Sequence, residues 1–205
     1  MQKLLIATKN AHKTVEFREA LGEAWEVLDL CAHAEIAAPE ETGSTFAQNA
    51  SLKAENASRI FDGWVLADDS GLEVDALHGA PGVLSARYAG PRASDSQNRA
   101  RLLRELDVYS HPSQRRARFR CTLALAKEGR VLRLFEGTCE GVIQNGESGT
   151  GGFGYDALFV PEGFEQSFGD LPLAIKNQLS HRARALEAFL NWVRSDASRE
   201  VQFEG

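Results

Sequence analysis

Leu4-Leu5-Ile6-Ala7 is a short unbroken apolar run near the start of the chain and predicts a buried strand. The polar Thr8-Lys9-Asn10 follows. Residues 12–21 then carry Val15, Phe17, Ala20 and Leu21 at helical spacing, with Gly22 as a stop. Residues 25–30 (Trp-Glu-Val-Leu-Asp-Leu) predict the next strand. Strand, helix and strand in such quick succession form a βαβ unit, which requires a parallel pair and a right-handed crossover. A second, Ala-rich helix is predicted over residues 46–61, with Thr45 and Gln48 spaced as a capping box and Gly63 beyond its end. Residues 64–67 predict another buried strand, ended by a turn in Asp68-Asp69-Ser70-Gly71, and residues 94–106 a third helix.

The middle of the chain changes pattern. Residues 118–127, 131–136 and 138–144 predict consecutive strands, the first two joined at Glu128-Gly129 as a hairpin. A last helix is predicted from about Ser180 to Arg194, followed by a polar tail. The fold class expected is α/β, with a mixed parallel and antiparallel sheet flanked by helices. No repeat, linker or low-complexity tract divides the chain, so residues 1–205 read as one domain.

Composition narrows the function. A net charge of −6 argues against a nucleic-acid-coating protein, which needs many cations, but leaves room for a small phosphorylated ligand. The three cysteines, Cys31, Cys121 and Cys139, are widely spaced and suggest neither a disulfide framework nor a zinc site. The opening apolar run is far too short for a signal peptide or a membrane span, so a cytoplasmic protein with no membrane partner is expected.

Candidate chemistry lies where predicted strands end, which is where open α/β sheets bind ligands. Thr8-Lys9-Asn10-Ala11-His12-Lys13 joins a strand to a helix, so backbone N–H groups and the positive end of the helix dipole suit a phosphate. The plainer reading is that Asn10 caps the helix and Lys13 is solvated. Asp68-Asp69 are adjacent carboxylates after a buried strand, a costly pair that a divalent cation would relieve if the chain turns at Ser70-Gly71. Glu40-Glu41 precede the capped helix and offer further oxygen ligands for Mg²⁺. Along that helix Asn49, Lys53 and Asn56 share a face, either solvated or lining a site. Gly149-Thr150-Gly151-Gly152-Phe153-Gly154-Tyr155-Asp156 contains GxGxxG, but a strand-like run follows where a dinucleotide fingerprint needs a helix. What survives is a loop in which Phe153 can stack on a flat base. Lys176 and Ser180-His181-Arg182 add cations near the start of the last helix.

In order and spacing these segments, with Thr42-Gly43, Gly79-Ala80-Pro81-Gly82 and Ser85-Ala86-Arg87-Tyr88, resemble the inosine triphosphate pyrophosphatase family over nearly the whole chain. The resemblance implies an elongated two-lobed fold, a homodimer, and a nucleotide bound in the cleft between lobes. It implies Mg²⁺-dependent hydrolysis of nonstandard purine nucleoside triphosphates (dITP, ITP, XTP, dXTP) to the monophosphate and pyrophosphate, which cleanses the nucleotide pool. Carried over by position, Asp69 is the general base. Glu41 or Glu40, with Asp69 and Asp68, holds Mg²⁺. Thr8, Lys9, Asn10, Ala11, His12, Lys13 and Lys53 hold the triphosphate. Ser70, Phe153, Gly154, Tyr155, Asp156, Lys176, His181 and Arg182 embrace base and sugar. Two stretches depart from the family: Ala174-Ile175 stand where acidic residues are common before the lysine, and Ala157 stands in place of a proline.

Overall fold

In a computed structural model the structure describes residues 2–195. The polar tail beyond them lies outside the described residues. The opening βαβ unit folds as its pattern predicts. β1 (Gln2–Ile6) leads into α1 (Ala11–Leu21) and back to β2 (Trp25–Asp29), with β1 and β2 parallel from Gln2 beside Trp25 to Ile6 beside Asp29. Gly22, at φ 67°, ends α1. α2 (Phe46–Ser58) precedes β3 (Trp64–Val74), which is parallel to β1, with Leu4 beside Trp64. After α3 (Asp95–Glu105) come β4 (Arg116–Lys127), β5 (Arg130–Ile143) and the short β6 (Phe159–Pro161), antiparallel to β5. α4 (Leu173–Leu179) and α5 (His181–Arg194) complete the described residues. The strand order is β2-β1-β3-β4-β5-β6, a mixed sheet.

Four expectations need correction. The largest concerns Asp68-Asp69-Ser70-Gly71, which is no turn: β3 continues extended through all four residues to Val74. Gly137 does not separate a pair of strands, because β5 runs unbroken through it. α2 stops at Ser58, before the predicted 61, and only half of its capping box forms. Thr45 Oγ1 accepts the Gln48 N–H, but the Gln48 carboxamide oxygen accepts the N–H of Ser44, one residue further back than the motif requires. Finally, α4 has no counterpart among the predicted elements. The β4–β5 hairpin does turn at Glu128-Gly129, both at positive φ (53° and 75°), a two-residue turn whose twist suits antiparallel strands.

The described residues fall into two compact units, and the divisions lie inside β3, β4 and β5. One unit holds the chain through Asp69, then Cys121–Gly137 and the residues from Arg182 on; the other holds Ser70–Arg120 and Thr138–His181. In the first unit the period-two alternation of strands sorts side chains onto two faces. Leu4 and Ile6 of β1, Leu66 of β3 and Cys121, Leu123 and Leu125 of β4 join Phe17 of α1 and Phe189 and Trp192 of α5 in one core. Leu5, Val65, Ala67, Ala124 and Ala126 face the other way, against Ala50, Ala54 and Ala57 of α2. Small residues on both sides there let α2 lie close to the sheet. The second unit has its own aromatic-rich core, with Phe119, Tyr155, Phe159 and Phe168.

Candidate active site

The alternation along β3 determines where its two carboxylates go. Asp68 follows Leu66 onto the face that carries α1 and α5, and Asp69 follows Val65 and Ala67 onto the face that carries α2. They therefore meet different partners. Asp68, its side chain fully buried, binds the Lys13 ammonium through one oxygen. Its other oxygen accepts from Arg182 Nε at 2.9 Å and from the Cys121 thiol at 3.2 Å. Arg182 also pairs with Glu16, one helical turn beyond Lys13 on α1. Burial would raise the carboxyl of Asp68, but Arg182 and Lys13 outweigh it and hold the group well below the usual carboxylate range. The same burial, with Asp68 beside it, pushes the Cys121 thiol far up, so Cys121 is a protonated donor.

On the opposite face Lys53 is the hub. Its ammonium lies 2.7 Å from Asp69 Oδ1, 2.8 Å from Glu41 Oε1 and 3.2 Å from the Asp68 carbonyl. Burial alone would lower this lysine, yet Asp69 and Glu41 raise it above its ordinary value. Asp69 moves the other way from Asp68. Burial raises its carboxyl, Lys53 only partly offsets that, and Glu41 adds a like charge. Asn49, fully buried one turn before Lys53, donates to Asp69 Oδ2 at 3.4 Å and accepts the Gly43 N–H at 2.8 Å. A Cβ on Gly43 would lie 2.6 Å from that Asn49 oxygen, so only glycine lets the segment bearing Glu41 pass so close to α2.

The donor set suits a hard cation. Glu41, Asp69 and the Asp68 carbonyl converge on the Lys53 ammonium, so each of these donor atoms is an oxygen already placed around a positive charge. Among the described residues no cluster of three or more metal-ligating side chains forms. Two carboxylates, with water and phosphate oxygens completing the shell, is the coordination Mg²⁺ favours and fits these residues. Glu40 is exposed, and both oxygens of Asp68 are engaged on the other face. The structure therefore brings together Glu41 and Asp69, and it does not bring Asp68 or Glu40 to them.

At the start of α1 the N–H groups expected to meet a phosphate serve the helix itself. Asn10 Oδ1 accepts from the backbone of His12 and Lys13, and Thr8 Oγ1 accepts the N–H of Asn10. The capping reading of Asn10 thus holds, whereas Lys13 is paired with Asp68 rather than solvated. Lys9, Ala11 and His12 are exposed. Asn56, grouped by spacing with Asn49 and Lys53, instead donates to the Ala37 carbonyl.

The second unit gathers the remaining candidates. No helix opens after the Gly149-to-Asp156 loop, so the dinucleotide pattern is accidental. Two of its glycines answer to packing. A Cβ on Gly149 would lie 2.1 Å from the Gly169 backbone, and one on Gly152, at φ 72°, would lie 2.0 Å from Asp156 Oδ2. That oxygen accepts the Phe153 N–H and the Lys176 ammonium, both at 2.8 Å, and Lys176 also lies over the Phe153 ring, 5.0 Å from its centre. Lys176 and Asp156 form a buried pair, so Asp156 holds the lysine despite the departures at Ala174 and Ile175. His181 stacks on Phe119 with centroids 4.8 Å apart. Tyr155 is a core residue whose hydroxyl donates to the Ser85 carbonyl, so it supports the loop from within. Ser70 is half-buried on β3. Sequence reasoning missed Glu16 and Cys121. Glu16 left a faint trace, its i, i+3 spacing from Lys13, while a lone cysteine on a strand left none.

The model of the Ham1 family matches residues 4–192. The chain is 50% identical over 187 residues to a dITP/XTP pyrophosphatase of Geobacillus kaustophilus, an alignment covering 91% of each protein. It is 45% identical over 194 residues to a dITP/XTP pyrophosphatase of Halalkalibacterium halodurans, covering 94% of this chain and 100% of the relative. Among solved structures, a HAM1 protein from Coxiella burnetii superposes with a TM-score of 0.84 at 36% identity, covering 94% of this chain and 98% of the other.

Proposed function

Since the chain belongs to the Ham1 family, we propose that it hydrolyses nonstandard purine nucleoside triphosphates (dITP, ITP, XTP and dXTP) to the monophosphate and pyrophosphate, keeping these bases out of nucleic acid. The observation that carries this reading is the convergence of Asp69, Glu41 and Lys53, in a chain half identical to a dITP/XTP pyrophosphatase.

Asp69 is the general base. Its raised carboxyl suits proton abstraction better than an ordinary, weakly basic aspartate would. As it takes a proton from water, the water oxygen bonds to the α-phosphorus, the bond from that phosphorus to the bridging oxygen breaks, and pyrophosphate leaves with the bond electrons. Glu41 and Asp69 would hold Mg²⁺, which supplies charge stabilisation on the phosphate oxygens. Lys53 and Lys13 offset the negative charge that grows on the leaving group. Arg182 and Cys121 keep Asp68 in place, and Asp68 in turn aims Lys13. In the second unit Phe153 offers a stacking face for the purine, and Lys176 and His181 offer donors to a 6-keto oxygen. An adenine amino group at that position would leave such donors unpaired, which is the costly mismatch that produces selectivity. A homodimer in the cytoplasm belongs to the same reading and rests on the family resemblance.

Pyrophosphate release from dITP, XTP, dATP, dGTP and dTTP, each with Mg²⁺ and with EDTA, tests the proposal. Metal-dependent release confined to dITP and XTP is expected. Binding without release from any of the five would sink the enzyme reading in favour of a nucleotide-binding module.

A further inference from the structure

Phe153 and Lys176 share one anchor, Asp156, but the peptide that follows Phe153 is held from elsewhere. Gly154 sits at φ 61° with nothing within 4 Å of where a Cβ would stand, so packing does not fix it. Its N–H donates to Asp95 Oδ2 at 2.7 Å, and its carbonyl accepts from Arg99 Nη1 at 2.8 Å. Asp95 and Arg99 are four residues apart on α3 and so share a face of that helix. The far side of the Arg99 guanidinium pairs with Glu147 at 2.9 Å, just ahead of the glycine-rich segment. Both bonds to Gly154 are charge-assisted, the strong class of hydrogen bond. Arg99 Nε is buried with no hydrogen-bond partner among the described residues. Leaving a buried donor unpaired is costly, so this arginine is not placed for its own best solvation.

We infer that Asp95 and Arg99 are positioning residues for base recognition: by gripping both ends of the Gly154 residue they fix the Phe153 ring relative to Lys176, and so set affinity for the purine without acting on the phosphates. The inference rests on the proposed role of Phe153 and Lys176 in binding the base. A glycine free on both sides would let the ring swing, and binding would then carry the entropy of ordering it.

The test compares the wild type with Arg99→Ala, Arg99→Lys, Asp95→Ala and Phe153→Ala. It measures KM and kcat for dITP, the dissociation constant of dIMP by calorimetry, and the inhibition constant of inorganic tripolyphosphate, which has no base. Arg99→Ala and Asp95→Ala are each expected to weaken dIMP binding and raise KM by about tenfold. Affinity for tripolyphosphate should not change, kcat should stay within about threefold of wild type, and Arg99→Lys should recover some of the loss. Asp95 is exposed, so Asp95→Ala carries the test even if Arg99→Ala fails to fold. If Phe153→Ala weakens dIMP binding while both α3 alanine variants bind it normally, the clamp is overturned and the base-binding reading stands. Equal losses for dIMP and tripolyphosphate would also overturn it, as a general structural effect. Normal dIMP binding by Phe153→Ala would overturn the base-binding reading, and the clamp with it.

Discussion

Asp68 and Asp69 are chain neighbours with opposite acid–base behaviour, and that contrast separates their roles. Asp69 has a raised carboxyl and a lysine within 2.7 Å. Asp69→Asn keeps the shape and the contact to Lys53 but cannot accept a proton. Turnover should fall by about 100- to 10,000-fold while the variant still binds nucleotide and keeps a melting temperature near wild type. A near-normal rate would remove Asp69 from the role of base. Asp68 is held well below the usual carboxylate range, so its ionised form is favoured by folding. Its contribution to stability is complete above the unfolded value near 3.8 and is lost only as pH falls through the depressed folded value. Asp68→Asn leaves Lys13 and Arg182 short of a buried counter-charge, and at pH 7 it should cost about 3–5 kcal/mol. The deficit should shrink as pH drops below about 4, where the wild type begins to lose the same interaction. Urea midpoints across that pH range would check this; a deficit independent of pH would mean that the charge of Asp68 is not what stabilises the fold.

Glycine-rich and acidic segments are where the elements depart from their sequence pattern. The βαβ unit is legible because its apolar residues keep one period for the length of each element. Asp68-Asp69-Ser70-Gly71 reads as a turn because two carboxylates in a buried strand are prohibitive unless neutralised, and the neutralising lysines and arginine are 55, 16 and 114 residues away. No local pattern can report partners at such separations, so the identities of the site residues are legible and their pairings are not. Gly152 lies inside the glycine-rich run, and its requirement is steric. Gly152→Ala combines a positive φ with a clash at the Asp156 oxygen that holds Phe153 and Lys176. It should destabilise the protein by about 1–3 kcal/mol and weaken dIMP binding. Gly146→Ala, with nothing within 4 Å of the new methyl, is the matched control and should change neither property. Equal melting temperatures for the two variants would show that the Gly152 backbone relaxes without loss.

Charge balance over the whole molecule sets the condition under which it can hold a triphosphate. The chain carries a net charge of −6. Its paired cations near the proposed phosphate site, Lys13, Lys53 and Arg182, face Asp68, Asp69, Glu41 and Glu16, a surplus of one negative charge when all are ionised. A polyanion approaching that group gains little until a divalent cation joins it, because like charges repel more strongly at partly buried sites than in water. Stabilisation by dITP should therefore depend on metal. With Asp69→Asn to prevent turnover, a ligand at one hundred times its dissociation constant adds about 2.7 kcal/mol to stability. For a chain of this size that corresponds to a rise in melting temperature of roughly 5–10 °C with Mg²⁺ present. In EDTA the shift should largely disappear for the wild type. It should partly persist in Asp69→Asn, which has lost one of the four carboxylates. Equal shifts with and without metal in Asp69→Asn would show that the lysines alone hold the phosphates, and that Glu41 serves Lys53 rather than a cation.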